Sequence, residues 1–288
     1  MQDVKPLIGY GWLRALIYFV GAFFIMLLLP IAANALLTQL GLTAKTDEES
    51  TLNLTIMYGV AGIGVYLFTF IIRRFVDRRD FKSLGFNWRG FTDEAALGFF
   101  TATALLGMGS LILVGLGYLT FLSISSSPDP LIIELAFMVV VAFVEELVFR
   151  GYVLNNLMQS MNKWIALMIS AVLFGLVHIA NPDVTILAVV NVFLGGLFLG
   201  LNYIYTRNLW FSIFFHFAWN FLQGPILGYD VSGLKMQSLF HQSLTGPELW
   251  TGGRFGFEGS LLCPLLLSLA IASFAYGFTR KYSTGNSR

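Results

Sequence analysis

Long apolar runs, rather than short alternating ones, dominate the hydrophobic pattern of this chain. A helix that crosses a hydrocarbon core of roughly 30 Å needs about 20 mostly apolar residues, because each adds about 1.5 Å of rise. Eight stretches reach that length, near residues 15–37, 52–72, 95–122, 131–157, 164–181, 184–205, 209–228 and 260–279. The pattern predicts an all-α fold, a polytopic bundle of about eight transmembrane helices. Asn181, Pro182 and Asp183 alone separate the fifth and sixth spans. Proline disfavours helix at the residue before it and has no N–H to continue one, so a tight hairpin is expected there. Lys5, Arg14 and Ala33-Asn34-Ala35 give the first span some look of a secretory signal. Its apolar run exceeds the roughly 7–15 residues of such a signal, and a retained helix is expected. No repeat or linker divides the chain, which reads as a single integral-membrane domain over residues 1–288.

Composition agrees with a lipid solvent. Hydrophobic residues make up 57% of the chain and charged ones 11%, against about 25% charged in a soluble domain. The net charge of +1 points to no nucleic acid. Cys263 is the single cysteine, which excludes an internal disulfide and any cysteine-based metal cluster. Of 17 Lys and Arg, only Lys45, Lys235 and Arg254 fall on the side opposite the amino terminus. Positive residues favour the cytoplasmic side, so both termini are expected in the cytoplasm, in a multi-pass protein of the plasma (inner) membrane. Trp12, Trp164 and Trp210 lie at inner span ends, where an indole prefers the interface. The basic run from Arg73 to Arg89 reads as a topology anchor beside anionic lipid, with headgroup binding as the alternative. The glycine-rich outer segment from Tyr229 to Gly259 reads as a solvated loop, with a re-entrant lid as the alternative.

Ionisable groups inside a bilayer cost about 2.5–3.5 kcal/mol each on insertion scales, so each asks for a reason. Here they gather in the core at residues 131–228: Glu145, Glu146 and Arg150 in the fourth span, His178 in the fifth, Asn191 in the sixth, and His216 with Asn220 in the seventh. Glu146 and Arg150 are four apart, on one helix face, and can pair. Glu145 lies about 100° round the helix from Glu146 and points to another neighbour. A structural ion pair beside a protonated glutamate would satisfy the same spacing. His216 and Asn220 also share a face, and either could simply bond a neighbouring helix. Phe174 reads as core. Depth adds a constraint, since the fourth and fifth spans are antiparallel about a turn at Met161 and Asn162. Glu145 and His178 are equally far from that turn, roughly 24 Å along each helix. His216 lies nearer its own inner turn, so the seventh span must be displaced or tilted to join them.

The chain lacks G-x-S-x-G, G-x-G-D and H-E-x-x-H, the marks of three kinds of intramembrane protease. What remains is a carboxylate able to activate water, with imidazoles and an amide to hold it and to stabilise an oxyanion. Glu145-Glu146-Leu147-Val148-Phe149-Arg150 fits E-E-x-x-x-R, Phe174-Gly175-Leu176-Val177-His178 fits F-x-x-x-H, and His216-Phe217-Ala218-Trp219-Asn220 fits H-x-x-x-N. In that order, each on its own span, they resemble the motifs of the CPBP (Abi) family of CAAX prenyl endopeptidases and bacteriocin-processing enzymes. The resemblance implies an intramembrane peptidase with a peptide or protein substrate at the membrane. It also implies Glu145 as general base, His178 holding the water, Glu146 held by Arg150, and His216 with Asn220 on the oxyanion.

Other readings stay open at this point. Glu145, His178 and His216 could ligate one divalent metal, zinc by ligand type, with water in the open position; the cofactor is therefore none or one such ion. A proton-coupled transporter also uses carboxylate and histidine relays, although it would often show internal repeats. A membrane scaffold or immunity factor would not need intact motifs. Gly196 and Gly200 form G-x-x-x-G, read as close packing within the chain rather than a dimer face.

Overall fold

The structure, a computed structural model, describes residues 5–39, 41, 51–126 and 129–283. Lys45 and Arg288, counted above among the outer and inner charges, lie outside the described residues. The helices are α1 (Gly11–Gln39), α2 (Thr51–Ile71), α3 (Thr92–Gly115), α4 (Asp129–Glu146), α5 (Asn155–Leu157), α6 (Lys163–Val177), α7 (Ile186–Thr206), α8 (Trp210–Phe221), α9 (Glu248–Thr251) and α10 (Leu262–Ser283). Among the described residues six helical stretches are long and apolar enough to cross a membrane: Gly11–Gln39, Thr51–Val76, Thr92–Gly115, Lys163–Ala180, Ile186–Thr206 and Leu262–Lys281. The other two expected spans are helical too, but each changes winding. A π-helical segment, Leu147–Leu154, joins α4 to α5, and another, Leu222–Ile226, extends the 12-residue α8. The chain is an all-α polytopic membrane protein; its second span also ends in a π-helical segment, Ile72–Val76, and five of the clustered polar residues, Glu145, Glu146, Arg150, His216 and Asn220, lie in the two spans just described.

Packing follows small residues. α6 and α7 form the expected hairpin, which turns at Asp183 with φ 52. Asn162 caps α6 by accepting from Trp164 N at 2.8 Å, and Thr185 caps α7 by accepting from Ala188 N at 3.1 Å. Gly196 lies against Ala171 and Phe174, and Gly200 against Leu167, so the G-x-x-x-G face is spent on the α6–α7 contact. α1 lies on α2 and on the Leu147–Leu154 segment, where Tyr18 stacks on Tyr152 with ring centroids 3.8 Å apart. The first span is thus packed as a bundle helix. α3 packs on α8, and α10 on α7.

Three expectations are corrected. The third span was expected to run to residue 122, but α3 stops at Gly115 and Gly117 turns the chain out of helix at φ +73. Leu119–Ile124 then forms β1, antiparallel to β2 (Phe240–Leu244), with a register shift between Phe121 and Ser123. The outer segment is not a solvated loop: Tyr229, Val231, Phe255 and Phe257 are buried. Apolar side chains every few residues give it something to bury, and β1 supplies an edge for β2. The basic run is not wholly a surface anchor either. Arg73 is buried and bonded to Asp77 at 2.7 Å and to Ser83 Oγ at 2.8 Å, acceptors that offset the cost of taking its guanidinium out of water.

Candidate active site

The C-terminal turn of α4 carries Glu145 and Glu146, and the π-helical segment that follows carries Arg150. His178 opens the turn that ends α6, while His216 and Asn220 share one face of α8. Glu146 is wholly buried; its Oε1 accepts from Arg150 Nη1 at 2.8 Å and faces His216 Nδ1 at 3.0 Å. Arg150 Nη2 also donates to the Gly196 carbonyl at 3.1 Å. The guanidinium lies 4.3 Å from the Phe174 ring centroid, so Phe174 does more than fill core.

Glu145 points elsewhere, as the 100° offset predicts. His178 Nε2 and His216 Nε2 both lie 3.9 Å from its Oε2, and that oxygen is buried without a hydrogen-bond partner. The equal-depth argument thus holds for Glu145 and His178, and α8 is placed so that His216 joins them. His178 Nδ1 sits 2.7 Å from the Phe174 carbonyl, which can only accept. Nδ1 therefore donates, so that whenever the ring is neutral Nε2 is the nitrogen that presents a lone pair to Glu145. Likewise, Glu146 fixes Nδ1 of His216 as a donor.

These groups open on a cavity of about 360 Å³. Glu145, His178, His216 and Asn220 line one part of it, whereas Glu146 and Arg150 stand behind the wall. Apolar residues of α1 line it as well, among them Phe23 and Leu27, both well exposed on the bundle surface. The outer segment contributes Val231, Ser232, Leu234, Met236 and Glu258 to the lining. Asn191 of α7 lines the cavity too.

The sequence reading did not single out Glu258, a further carboxylate in the wall. Its Oε1 accepts from Trp219 Nε1 at 3.1 Å, and its Oε2 from Ser232 N at 3.1 Å and Ser232 Oγ at 2.6 Å. Both oxygens are occupied, so Glu258 ties the outer segment to α8 and is no candidate base. Its place in a glycine-rich segment gave no periodic signal; the acid beside Phe257 was the one clue.

The family model described as type II CAAX prenyl endopeptidase Rce1-like matches residues 127–222. That range contains α4, α6, α7, α8 and all seven defining residues of the three motifs, and it agrees with the resemblance those motifs carry. No curated protein and no solved structure matches the chain.

Proposed function

We propose that this chain is an intramembrane endopeptidase that hydrolyses a peptide bond near the membrane, with Glu145 as general base. Its substrate is a CAAX-type C-terminus or, as the alternative, a leader peptide or membrane-protein segment. One observation carries the reading: two histidine Nε2 atoms converge at 3.9 Å on a buried, unbonded oxygen of Glu145 at the wall of a cavity. The family match over residues 127–222 supports the peptidase class.

A water between Glu145 Oε2 and His178 Nε2 can donate one proton to each at about 2.8 Å, which leaves its lone pairs free for a substrate carbonyl carbon. As the oxygen–carbon bond forms, Glu145 takes the proton and the carbonyl oxygen becomes an oxyanion. Asn220 and His216 serve as its donors. For that role His216 carries protons on both nitrogens, a charge that Glu146 is placed to balance and that Arg150 steadies through Glu146. Collapse breaks the carbon–nitrogen bond, and the proton on Glu145 passes to the leaving amine.

Two imidazoles and a carboxylate suit zinc by chemistry. Tetrahedral ligands about 2.0–2.1 Å from zinc stand about 3.3 Å from one another, whereas both nitrogens here are 3.9 Å from Glu145 Oε2. Among the described residues no group of three His, Cys, Asp or Glu is arranged to hold an ion. As placed, the residues do not fit a metal, and no step runs through one.

The test is cleavage by detergent-solubilised protein of a peptide library that includes prenylated C-terminal peptides and their unprenylated counterparts. Cleavage is expected from the wild type, also after exhaustive chelation, and not from Glu145→Gln. An inactive wild type, or an equally active Gln variant, would sink the proposal; activity lost to chelation and restored by zinc would replace its mechanism. The charge bias supports cytoplasmic termini. With Cys263 replaced, Ser123→Cys should label from outside intact cells and Lys82→Cys should not; the reverse would invert the topology.

A further inference from the structure

We infer that Asn191 is a substrate-binding residue whose Oδ1 accepts a backbone N–H of the peptide lying in the cavity. The inference rests on the peptidase reading and adds a contact from α7, a helix that supplies none of the motif residues.

Asn191 is 1% exposed and sits in the apolar α7, where an amide needs a reason. Its Nδ2 donates twice, to the Glu258 carbonyl at 2.7 Å and to the Ser260 carbonyl at 2.9 Å. Two carbonyl oxygens can only accept, so the amide cannot be turned round: the opposite orientation would set oxygen against both. Oδ1 is consequently fixed as the remaining atom. It is buried and has no hydrogen-bond partner. Asn191 lines the same cavity as Glu145, His178 and Asn220, which puts the unfilled acceptor within the wall of that space.

An unpartnered acceptor inside a protein is costly, and a ligand donor can relieve that cost. A peptide awaiting hydrolysis brings such donors, since every non-proline residue carries an N–H that finds no water in an apolar cavity. The contact is also preorganised. Glu258 and Ser260, which grip the amide, belong to or adjoin the outer segment, and Glu258 is itself pinned by Trp219 and Ser232. A peptide N–H on Oδ1 would therefore be held at a constant offset from Glu145, which sets the register of the scissile bond.

The experiment is an ester scan. A fluorogenic peptide that the wild type cleaves is remade with each backbone N–H near the cut replaced in turn by an ester oxygen. The same series is run on Asn191→Ala and on Asn191→Leu, which keeps the branched shape without the polar atoms should the alanine variant fold poorly. In the wild type, one position should lose about 3- to 10-fold in kcat/KM. In both variants the parent peptide should be cleaved more slowly, and that same ester should cost nothing further. A wild-type scan without a sensitive position would overturn the inference, whether or not either variant folds. So would variants that slow every peptide alike while keeping the wild-type profile, because Asn191 would then only clamp the outer segment. Failure of the wild type to cleave any peptide removes the peptidase reading and this contact together, whereas cleavage without coupling removes the contact alone.

Discussion

Asp77 and Glu146 are both fully buried carboxylates, each four residues from an arginine that bonds it, and each beside a π-helical segment, Ile72–Val76 for Asp77 and Leu147–Leu154 for Glu146. Around Asp77 both oxygens are filled. Oδ1 accepts from Arg14 Nη1 at 2.9 Å and from Tyr152 OH at 3.0 Å, and Oδ2 from Arg73 Nη1 at 2.7 Å. None of these residues lines the cavity. Around Glu146 one oxygen is used twice, the other has no partner, and neighbouring Glu145, which lines the cavity, holds an unbonded oxygen between two imidazoles. Residue types alone do not separate these clusters. Saturation and access to space do: a closed network locks helices together, whereas an open one has capacity left for water and substrate.

The largest effects should fall in opposite properties. Glu145→Gln is expected to lower peptidase turnover by about 10²- to 10⁴-fold and to leave thermal stability in detergent unchanged or slightly raised, because no hydrogen bond to its Oε2 is lost. Asp77→Asn should do the reverse. It leaves Arg14 and Arg73 buried with a neutral partner, which costs about 3–5 kcal/mol when a buried pair is broken, while the folded fraction keeps near-normal turnover. Paired denaturation and turnover measurements check both. A Glu145→Gln protein that is chiefly unstable, or an Asp77→Asn protein that is stable but inactive, would erase the distinction.

The sequence made one cluster visible and concealed the other, for physical reasons. Glu145 and His178 could be set at one depth because an antiparallel hairpin conserves distance from its turn, and the Glu146–Arg150 pair follows from helical spacing. The order of spans was legible because each needs only its own apolar run. Asp77 was hidden because Arg14 and Tyr152 come to it from 63 and 75 positions away, although an acid four residues after Arg73 in a basic run was a local clue. The β1–β2 pairing was hidden in the same way, since β1 continues an apolar stretch and only its distant partner makes it a strand. Asn191 was noticed as polar, but its orientation depends on carbonyls 67 and 69 positions along the chain.

Arg150→Lys sharpens the comparison from within the open cluster. The guanidinium bonds Glu146 and the Gly196 carbonyl at once and lies over Phe174, a set that a single ammonium cannot reproduce. Loss of a charged hydrogen bond is worth about 1.5–3 kcal/mol, so turnover should fall by roughly 10- to 100-fold, less than for Glu145→Gln. Wild-type turnover in this variant would show that Glu146 needs no orientation to hold His216.

Tyr152→Phe should give the smallest effect, and it tests saturation directly. The Tyr152 hydroxyl is one of three donors on Asp77, and removing it leaves both guanidinium bonds in place. The ring keeps its stack on Tyr18, so no cavity opens beyond the lost oxygen. A neutral hydrogen bond contributes about 0.5–1.5 kcal/mol net, and the loss on unfolding in detergent should fall in that range. Tyr152 lies two residues beyond Arg150 on the same π-helical segment, which is the covalent link between the two clusters. If the Asp77 network is purely a lock, kcat and KM should both stay within about twofold of the wild type, well under the tenfold that corresponds to about 1.4 kcal/mol. A drop in kcat without loss of stability would mean that the segment transmits the state of Asp77 to Arg150, and the two clusters would then be one device.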